Sequence, residues 1–314
     1  MSRDHDHGPS HGHGHDHGIS ENADFRYLAS ALALLVAYML GEVIVAIASH
    51  SLALLSDAGH MLTDAGAIGV AIWAMRLAAR PAKGAWTFGW KRAEILSALS
   101  NGVTMLVIAA VVAVEAIRRL AGAERSVNGT AVLVTALVGV GVNIAAAWLL
   151  AKANRSSLNV EGAYQHILTD LYGFIGTIVA AIVILTTGWA KADSVASLIV
   201  VALMLRASWG LLRDSGRVLL EAAPAHIDME AIRAHLLEVE HVTDVHDLHV
   251  WTVTSDLPSL SAHLVIQDTC FNDGHAAEIL AQVHQCLDGH FEVDHSTFQL
   301  EPVSHGEHEH TVHA

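Results

Sequence analysis

Long blocks of hydrophobic residues, separated by short polar stretches, fill the first two-thirds of the chain. A helix needs about 20 apolar residues to cross the hydrocarbon core of a bilayer. The pattern predicts six segments of at least that length, at residues 25–48, 51–77, 93–120, 129–151, 159–186 and 189–212. From about residue 213 the pattern changes to shorter helical and strand-like periods, in the order αββαβ.

This pattern predicts a fold class in two parts: an α-helical membrane protein with six transmembrane helices, followed by a cytoplasmic α+β domain with helices on one face of a small sheet. The predicted units are a disordered His-rich tail at 1–22, a membrane domain at 23–212, a cytoplasmic metal-binding domain at 213–303 and a second His-rich tail at 304–314. The tails either raise the local concentration of metal ions or act only as solubilising segments.

The composition agrees with a membrane protein that binds cations. The chain is 53% hydrophobic and 16% charged, whereas soluble domains average about 25% charged residues. A net charge of -15 and 23 histidines argue against nucleic acid as a partner and favour metal ions. Cys270 and Cys286 lack the spacing of metal ligands, so we expect reduced thiols in a cytosolic domain.

Basic residues predict the orientation of the helices. Twelve lysines and arginines fall on one side of the six segments and four on the other. Because cytoplasmic loops carry the excess of basic residues, both termini are predicted to be cytoplasmic. The N-terminal tract has no apolar run that could serve as the core of a signal peptide, so we do not expect it to be cleaved.

Two of the predicted spans carry histidine and aspartate four residues apart. The second span contains Asp57, His60 and Asp64, and the fifth contains His166 and Asp170. Residues at this spacing lie on one face of a helix, and ionisable groups within a membrane are functional by default. Two imidazoles and two carboxylates can complete the four ligands of a zinc ion, and protons should enter as the metal leaves. The spans therefore predict a membrane carrier for zinc.

Less specific interpretations of the polar residues stay open at this point. Each His–Asp pair could be a hydrogen bond between helices, although its occurrence in two spans favours a shared metal ion. Asp57 either shapes the ion pathway or caps the start of its helix near the outer surface. Glu42 and Asn143 are expected to form hydrogen bonds between helices.

Four motifs carry a resemblance to a known family: "SLALLSDAGHMLTD", "SLNVEGAYQHILTDLYG", "RPAKGAWTFGWKRAEIL" and "VHDLHVWTVTS". From about residue 25 to 303 the chain resembles cation diffusion facilitators of the zinc transporter type, the group of the cobalt–zinc–cadmium resistance exporters. The resemblance implies a ferredoxin-like, metallochaperone-like cytoplasmic domain, homodimers and proton-coupled efflux. It assigns the transport site to His60, Asp64, His166 and Asp170, and histidine at position 60 is the pattern associated with zinc.

The resemblance also implies a second metal site, in the cytoplasmic domain. His246, His263 and Glu301 fall where similar proteins bind zinc between subunits. Gln299 replaces a histidine of that pattern, and His295 is expected to supply the missing nitrogen. Zinc bound there would be a regulatory ligand. The alternative is a set of ordinary surface histidines on a sheet.

The remaining expectations concern location, partners and rival functions. The chain is expected to be a multi-pass protein of the cell inner (plasma) membrane that exchanges divalent metal ions for protons. A basic residue after the second span, Arg92, is expected to pair with Glu221 near the waist of the dimer. The chain is not expected to be an enzyme, since the HExxH pattern of a membrane metalloprotease does not occur. A membrane-anchored metal buffer is the other rival.

Overall fold

Six long helices form the N-terminal two-thirds of the chain in a computed structural model. This structure describes residues 21–49, 52–122, 129–155, 157–189, 191–255, 257–291, 293 and 295–307, and most of the two predicted tails lies outside them. The helices coincide with the six apolar segments of the sequence. They are α1 (Glu21–Ser49), α2 (Leu52–Ala78), α3 (Ala93–Ala121), α4 (Gly129–Leu150), α5 (Leu158–Thr187) and α6 (Ala192–Leu219).

The helices pack as a group of four beside a pair. Helices α1, α2, α4 and α5 share one apolar core, in which Leu28, Ile68, Leu150 and Ile167 are completely buried. Helix α3 packs along α6, around a smaller cluster that includes Met204. Helix α5 contacts α2, α3, α4 and α6, so it connects the group and the pair.

Glycine allows a close approach between α4 and α5. At Gly139 on α4, an added Cβ atom would lie 2.5 Å from Cε1 of Phe174 on α5. An alanine at this position would therefore force the Phe174 ring to move. At Gly41, Gly66 and Gly69 of α1 and α2, an added Cβ atom would meet nothing within 4 Å.

Four of the six helices are candidate membrane spans on the described residues. They are Asp24–Gly41 of α1, all of α3 and α5, and Ser194–Leu219 of α6, which are long and apolar enough to cross a bilayer. Helix α4 contributes a shorter apolar stretch, Ala136–Leu150. Spanning by α2 and α4, and with it the full set of six transmembrane helices, stays a prediction.

The C-terminal residues form a small domain around a mixed three-stranded sheet. Strand β2 lies in the centre, antiparallel to β1 and parallel to β3. The order agrees with the predicted αββαβ, except that a four-residue helix follows β2. The elements are α7 (Met229–Leu237), β1 (Val242–Thr252), β2 (Pro258–Ile266), α8 (Thr269–Asn272), α9 (Ala276–His290), β3 (His295–Pro302) and a 3-10 turn at Val303–Glu307. Leu236, Leu264 and Val283 pack the helices against the sheet.

The two parts of the chain meet where α6 leaves the predicted membrane region. Helix α6 continues to Leu219, seven residues past the predicted end of the span at residue 212. The Arg92 guanidinium lies 2.8 Å from a carboxylate oxygen of Glu221, so the expected pairing of these residues is confirmed. Their side chains are 40% and 60% exposed, and a pair this accessible contributes at most about 1 kcal/mol.

Candidate metal sites

The N-terminal part of α5 is fixed against α2 by a buried amide. The side chain of Asn159 is 2% exposed, and its Nδ2 donates a 2.9 Å hydrogen bond to the carbonyl oxygen of Ala71 on α2. Because a buried amide without a partner costs about 1–3 kcal/mol, this contact favours one register between the helices. Ala71 lies two helical turns after Asp64 on α2, and Asn159 lies two turns before His166 on α5.

Three of the four predicted transport ligands lie together inside the bundle. His166 on α5 is 3% exposed, and its Nε2 lies 2.8 Å from Oδ1 of Asp64 on α2. Oδ2 of Asp170, one turn further along α5, lies 3.8 Å from the same nitrogen. One ligand atom from each residue lies within 4.8 Å of the other two, a separation that one metal ion can bridge.

The fourth predicted ligand, His60, lies one turn before Asp64 on α2, and its side chain is outside the described residues. The same holds for the side chains of Asp57 and Glu42. The Asp64 cluster adjoins a cavity of about 330 Å³, which is also lined by Asn143 of α4.

The expectation of a hydrogen bond between helices at Asn143 is wrong on the described residues. Its Nδ2 donates to the carbonyl oxygen of Gly139, one turn earlier in the same helix, at 3.1 Å. The amide reaches its own backbone because the i−4 carbonyl is the nearest acceptor within a helix. The Oδ1 atom is buried and has no hydrogen-bond partner among the described residues.

The contact between His166 and Asp64 involves the atoms that a metal ion would use. Nε2 of His166 and Oδ1 of Asp64 lie 2.8 Å apart, and their donor and acceptor roles depend on the tautomer of the imidazole. A metal ion bound at Nε2 would need the lone pair of that nitrogen, so a hydrogen and a metal ion compete for this one atom.

Arg155, just before α5, forms an ion pair with Glu161 in the first turn of that helix. Arg155 contacts both carboxylate oxygens of Glu161, at 2.9 and 3.3 Å. The hydrogen bond that the Arg155 guanidinium donates to Glu161 raises the pKa of this guanidinium above its usual value.

A second cluster lies on the sheet of the C-terminal domain. His246 on β1 and His263 on β2 are paired in register, with ring centroids 5.1 Å apart. Glu301 on β3 is 2% exposed, and its two carboxylate oxygens lie 3.1 Å from Nε2 of His246 and 2.9 Å from Nδ1 of His263. Gln299 donates a 2.7 Å hydrogen bond to the same carboxylate. Two nitrogens and a carboxylate suit a zinc ion, so the residues fit the metal.

His295 is not brought to this cluster within one subunit. It begins β3 opposite Ser259, four residues before His263 on β2, which is about 13 Å along the strand. Asp247 is closer, with Oδ2 3.9 Å from Nδ1 of His263. Asp247 has a positive φ of 48° at an irregularity between His246 and His249, and such bulges redirect side chains.

The two cysteines agree with the expectation of reduced thiols. Cys270 is buried and Cys286 is half-buried, and they do not form a disulfide. Burial, with a smaller contribution from Glu238, raises the pKa of the Cys286 thiol. A thiol that resists ionisation is a poor metal ligand.

Sequence reasoning missed two residues that shape these clusters. Asn159 stands at the start of a predicted span, and a polar amide within an apolar segment is the sequence signal for such a residue. Asp247 follows His246 directly in a strand, and strict alternation would have placed its side chain on the opposite face. The bulge overrides that alternation.

Two family models together match most of the chain. The model of the cation efflux transmembrane domain matches residues 28–220, and that of the cation efflux protein cytoplasmic domain matches residues 224–303. The second match identifies the C-terminal domain as cytoplasmic. The transmembrane match alone covers more than half of the chain.

Three characterised proteins illustrate the similarity. The cadmium, cobalt and zinc/H(+)-K(+) antiporter of Bacillus subtilis is 37% identical over 91% of this chain and 92% of its own length. The metal cation efflux system protein CzcD of Cupriavidus metallidurans is 38% identical, over 88% and 86%. The zinc transporter ZitB of Escherichia coli is 37% identical, over 96% and 93%. The resemblance inferred from the four motifs is confirmed, and this chain belongs to the cation efflux family of membrane transporters.

Proposed function

We propose that this protein exports zinc from the cytoplasm in exchange for protons, through a site formed by His60, Asp64, His166 and Asp170. The observation that carries the proposal is the 2.8 Å contact between His166 of α5 and Asp64 of α2, with Asp170 beside it in the bundle interior. Two carboxylates offset the charge of a divalent ion, and imidazole nitrogen favours zinc over ions that prefer oxygen. Cadmium and cobalt, named for the relatives, are further candidate substrates.

The exchange proceeds in three steps at the transport site. Cytoplasmic zinc reaches the site between α2 and α5, and the protons held by the four ligands leave as their lone pairs bind the metal. The bundle then changes from an inward-open to an outward-open arrangement. Outside, protons return to the ligands and displace the metal, since the two carboxylates would repel one another in the empty, ionised site. Protons and metal thus compete for the same atoms, which gives antiport by alternating access.

The proposed molecule is a homodimer in the cell inner (plasma) membrane, with both termini in the cytoplasm. All six helices cross the bilayer in a membrane domain at 23–212, and the ferredoxin-like domain at 213–303 lies in the cytoplasm. The excess of basic residues on one side supports this orientation. The match to the model of the cytoplasmic dimer domain supports a dimer.

A chain without its two tails is expected to carry zinc at the rate of the full-length protein. The four proposed ligands lie within the helices, so deletion of residues 1–20 and 308–314 leaves the transport site intact. The measurement is zinc entry into proteoliposomes that contain a zinc-sensitive dye. This experiment separates a carrier from a metal buffer, because a buffer would lose most of its metal capacity and show no time-dependent entry. Entry that disappears with the tails would refute the proposal.

In the cytoplasmic domain, we propose that His246, His263 and Glu301 hold a regulatory zinc ion, with Asp247 as the fourth ligand. The carboxylate of Glu301 is already placed between the two imidazoles. Bound zinc would supply a positive charge that holds the three strands together. A ligand that binds one conformation better than another shifts the carrier towards that conformation.

Replacing Glu301 by glutamine is expected to weaken zinc binding to this cluster by more than about 100-fold, since loss of even an indirect partner of a metal ligand costs 10- to 100-fold. The measurement is calorimetric titration of zinc into the tail-deleted chain with Asp64→Asn, so that the transport site does not contribute. Glu278→Gln, which changes an exposed carboxylate on α9, is the matched control. Equal zinc affinities in Glu301→Gln and in the control would refute the proposal of a zinc site at this cluster.

A further inference from the structure

The first turn of α5 is tied to α3 through a single carboxylate. Ser157 caps α5, and its Oγ accepts a 3.3 Å hydrogen bond from the backbone amide of Val160. The same hydroxyl donates to Oε1 of Glu94, in the first turn of α3. Glu94 therefore fixes where α5 begins relative to α3.

The cytoplasmic domain reaches the same carboxylate. Thr254, in the loop between β1 and β2, donates from Oγ1 to Oε2 of Glu94 at 3.3 Å. The neighbouring Ser255 accepts a 3.0 Å hydrogen bond at Oγ from the backbone amide of Leu158, the first residue of α5. Ser157 and Thr254 are both buried, whereas Glu94 is half-buried, and all three line a cavity of about 520 Å³. Three parts of the chain thus share one carboxylate.

The β1–β2 loop and the His246 cluster belong to the same β-hairpin. His246 and His263 face each other across the hairpin, and the two strands are paired from Val242 to Thr252. The loop begins about 20 Å along β1 from His246, at about 3.4 Å a residue. A shift of the hairpin therefore moves Thr254 and Ser255 directly against the start of α5.

We propose that Glu94 is a positioning residue for transport, through which the β1–β2 loop of the cytoplasmic domain sets the position of α5 and hence the cation affinity of the transport site. This inference rests on the proposed function. His166 lies two and a half turns along α5 from Ser157, on the same continuous helix. Metal–ligand distances tolerate only about 0.2 Å, so a small displacement of the helix start weakens binding.

The test compares three single substitutions in the cytoplasmic domain by their effect on zinc flux. Thr254→Val keeps the shape of the side chain but removes the hydroxyl that bonds Glu94, whereas Thr254→Ser restores a hydroxyl. Thr243→Val is the matched control. Thr243 is exposed on β1, and its hydroxyl donates a 3.0 Å hydrogen bond to the carbonyl oxygen of Val265 within the sheet. Initial rates are measured in proteoliposomes over a range of zinc concentrations.

Thr254→Val is expected to raise the KM for zinc about fivefold, the lower end of the usual coupling between two sites, with kcat unchanged. Thr254→Ser and Thr243→Val should keep the wild-type KM. Glu94→Ala should raise KM as well, and adding Thr254→Val to it should have no further effect, because Thr254 has then already lost its acceptor. If Glu94→Ala does not fold, the three threonine variants test the inference by themselves.

A wild-type KM in Thr254→Val would overturn the inference, as would an equal rise in Thr243→Val. Effects of Glu94→Ala and Thr254→Val on KM that multiply in the double variant would overturn it too. Failure of the proposed function looks different. In that case the wild-type protein itself carries no zinc, or zinc flux persists when the transport ligands are replaced.

Discussion

Asp64→Asn is expected to reduce zinc flux to the level of protein-free liposomes, a loss of more than about 100-fold. Asparagine has the shape of aspartate, so the side chain still fits between α2 and α5. It carries no charge, however, and its amide cannot replace the carboxylate that lies 2.8 Å from Nε2 of His166. A divalent ion would then be buried with one compensating charge fewer, which is unfavourable in a medium of low polarity. Flux is measured as dye-reported zinc entry into proteoliposomes.

Asp214→Asn is the matched control for this experiment. Asp214 is an exposed carboxylate on α6, outside the transport cluster, so the same chemical change should leave flux intact. Size-exclusion chromatography of each variant in detergent checks that the fold and assembly survive. If the contact between Asp64 and His166 served only to join two helices, Asp64→Asn would lower the thermal stability and still carry zinc. That outcome would refute the site.

A pH gradient, acidic inside the vesicle, is expected to drive zinc into proteoliposomes against its own gradient. Protons then leave down their gradient as zinc enters. A difference of one pH unit supplies about 1.4 kcal/mol for each proton, so zinc accumulates about tenfold for each proton exchanged. Reversing the gradient should reverse the direction of net zinc movement. The readout is the internal zinc concentration at steady state.

Collapsing the gradient with a protonophore is the control for the antiport experiment. A second arm replaces the pH gradient with an outward potassium gradient at equal pH, since the Bacillus relative is named a zinc/H(+)-K(+) antiporter. Accumulation with the pH gradient alone supports proton exchange. Zinc entry that ignores the direction of the pH gradient would exclude antiport, even if the site itself is correct.

The transport cluster was predictable from sequence because polar residues inside a membrane have few alternatives. His166 and Asp64 each lie in a long apolar segment, and their burial without a partner would be costly. The pattern therefore predicted that they converge, and the structure brings them within hydrogen-bonding distance. The positions of the six long helices were predictable as well, because each apolar stretch is long enough for a membrane-spanning helix.

Contacts that depend on local backbone geometry were not predictable. Asn143 satisfies its amide donor within its own helix, which no spacing rule distinguishes from a partner on another helix. Gly139 makes a close contact while Gly66 does not, because the position of Phe174 decides it. The bulge that turns Asp247 towards His263 interrupts a pattern that reads as regular alternation. In each case the contact depends on one nearby group or on local backbone geometry, which the helical or strand periodicity of the sequence does not reveal.

The amide of Asn159 has a mechanical consequence for the proposed transport cycle. Helices α2 and α5 run in opposite directions, since Asn159 meets Ala71 and His166 meets Asp64. In the proposed orientation, the bond to Ala71 joins the helices on the cytoplasmic side of the ligands. Parting the helices at the outer surface can pivot about this bond and leave it whole. Parting them at the inner surface must break it, at a cost of about 1–3 kcal/mol unless water enters the gap. In the proposed cycle, the barrier to admitting a cation from the cytoplasm thus includes a contribution that the barrier to releasing it outside lacks.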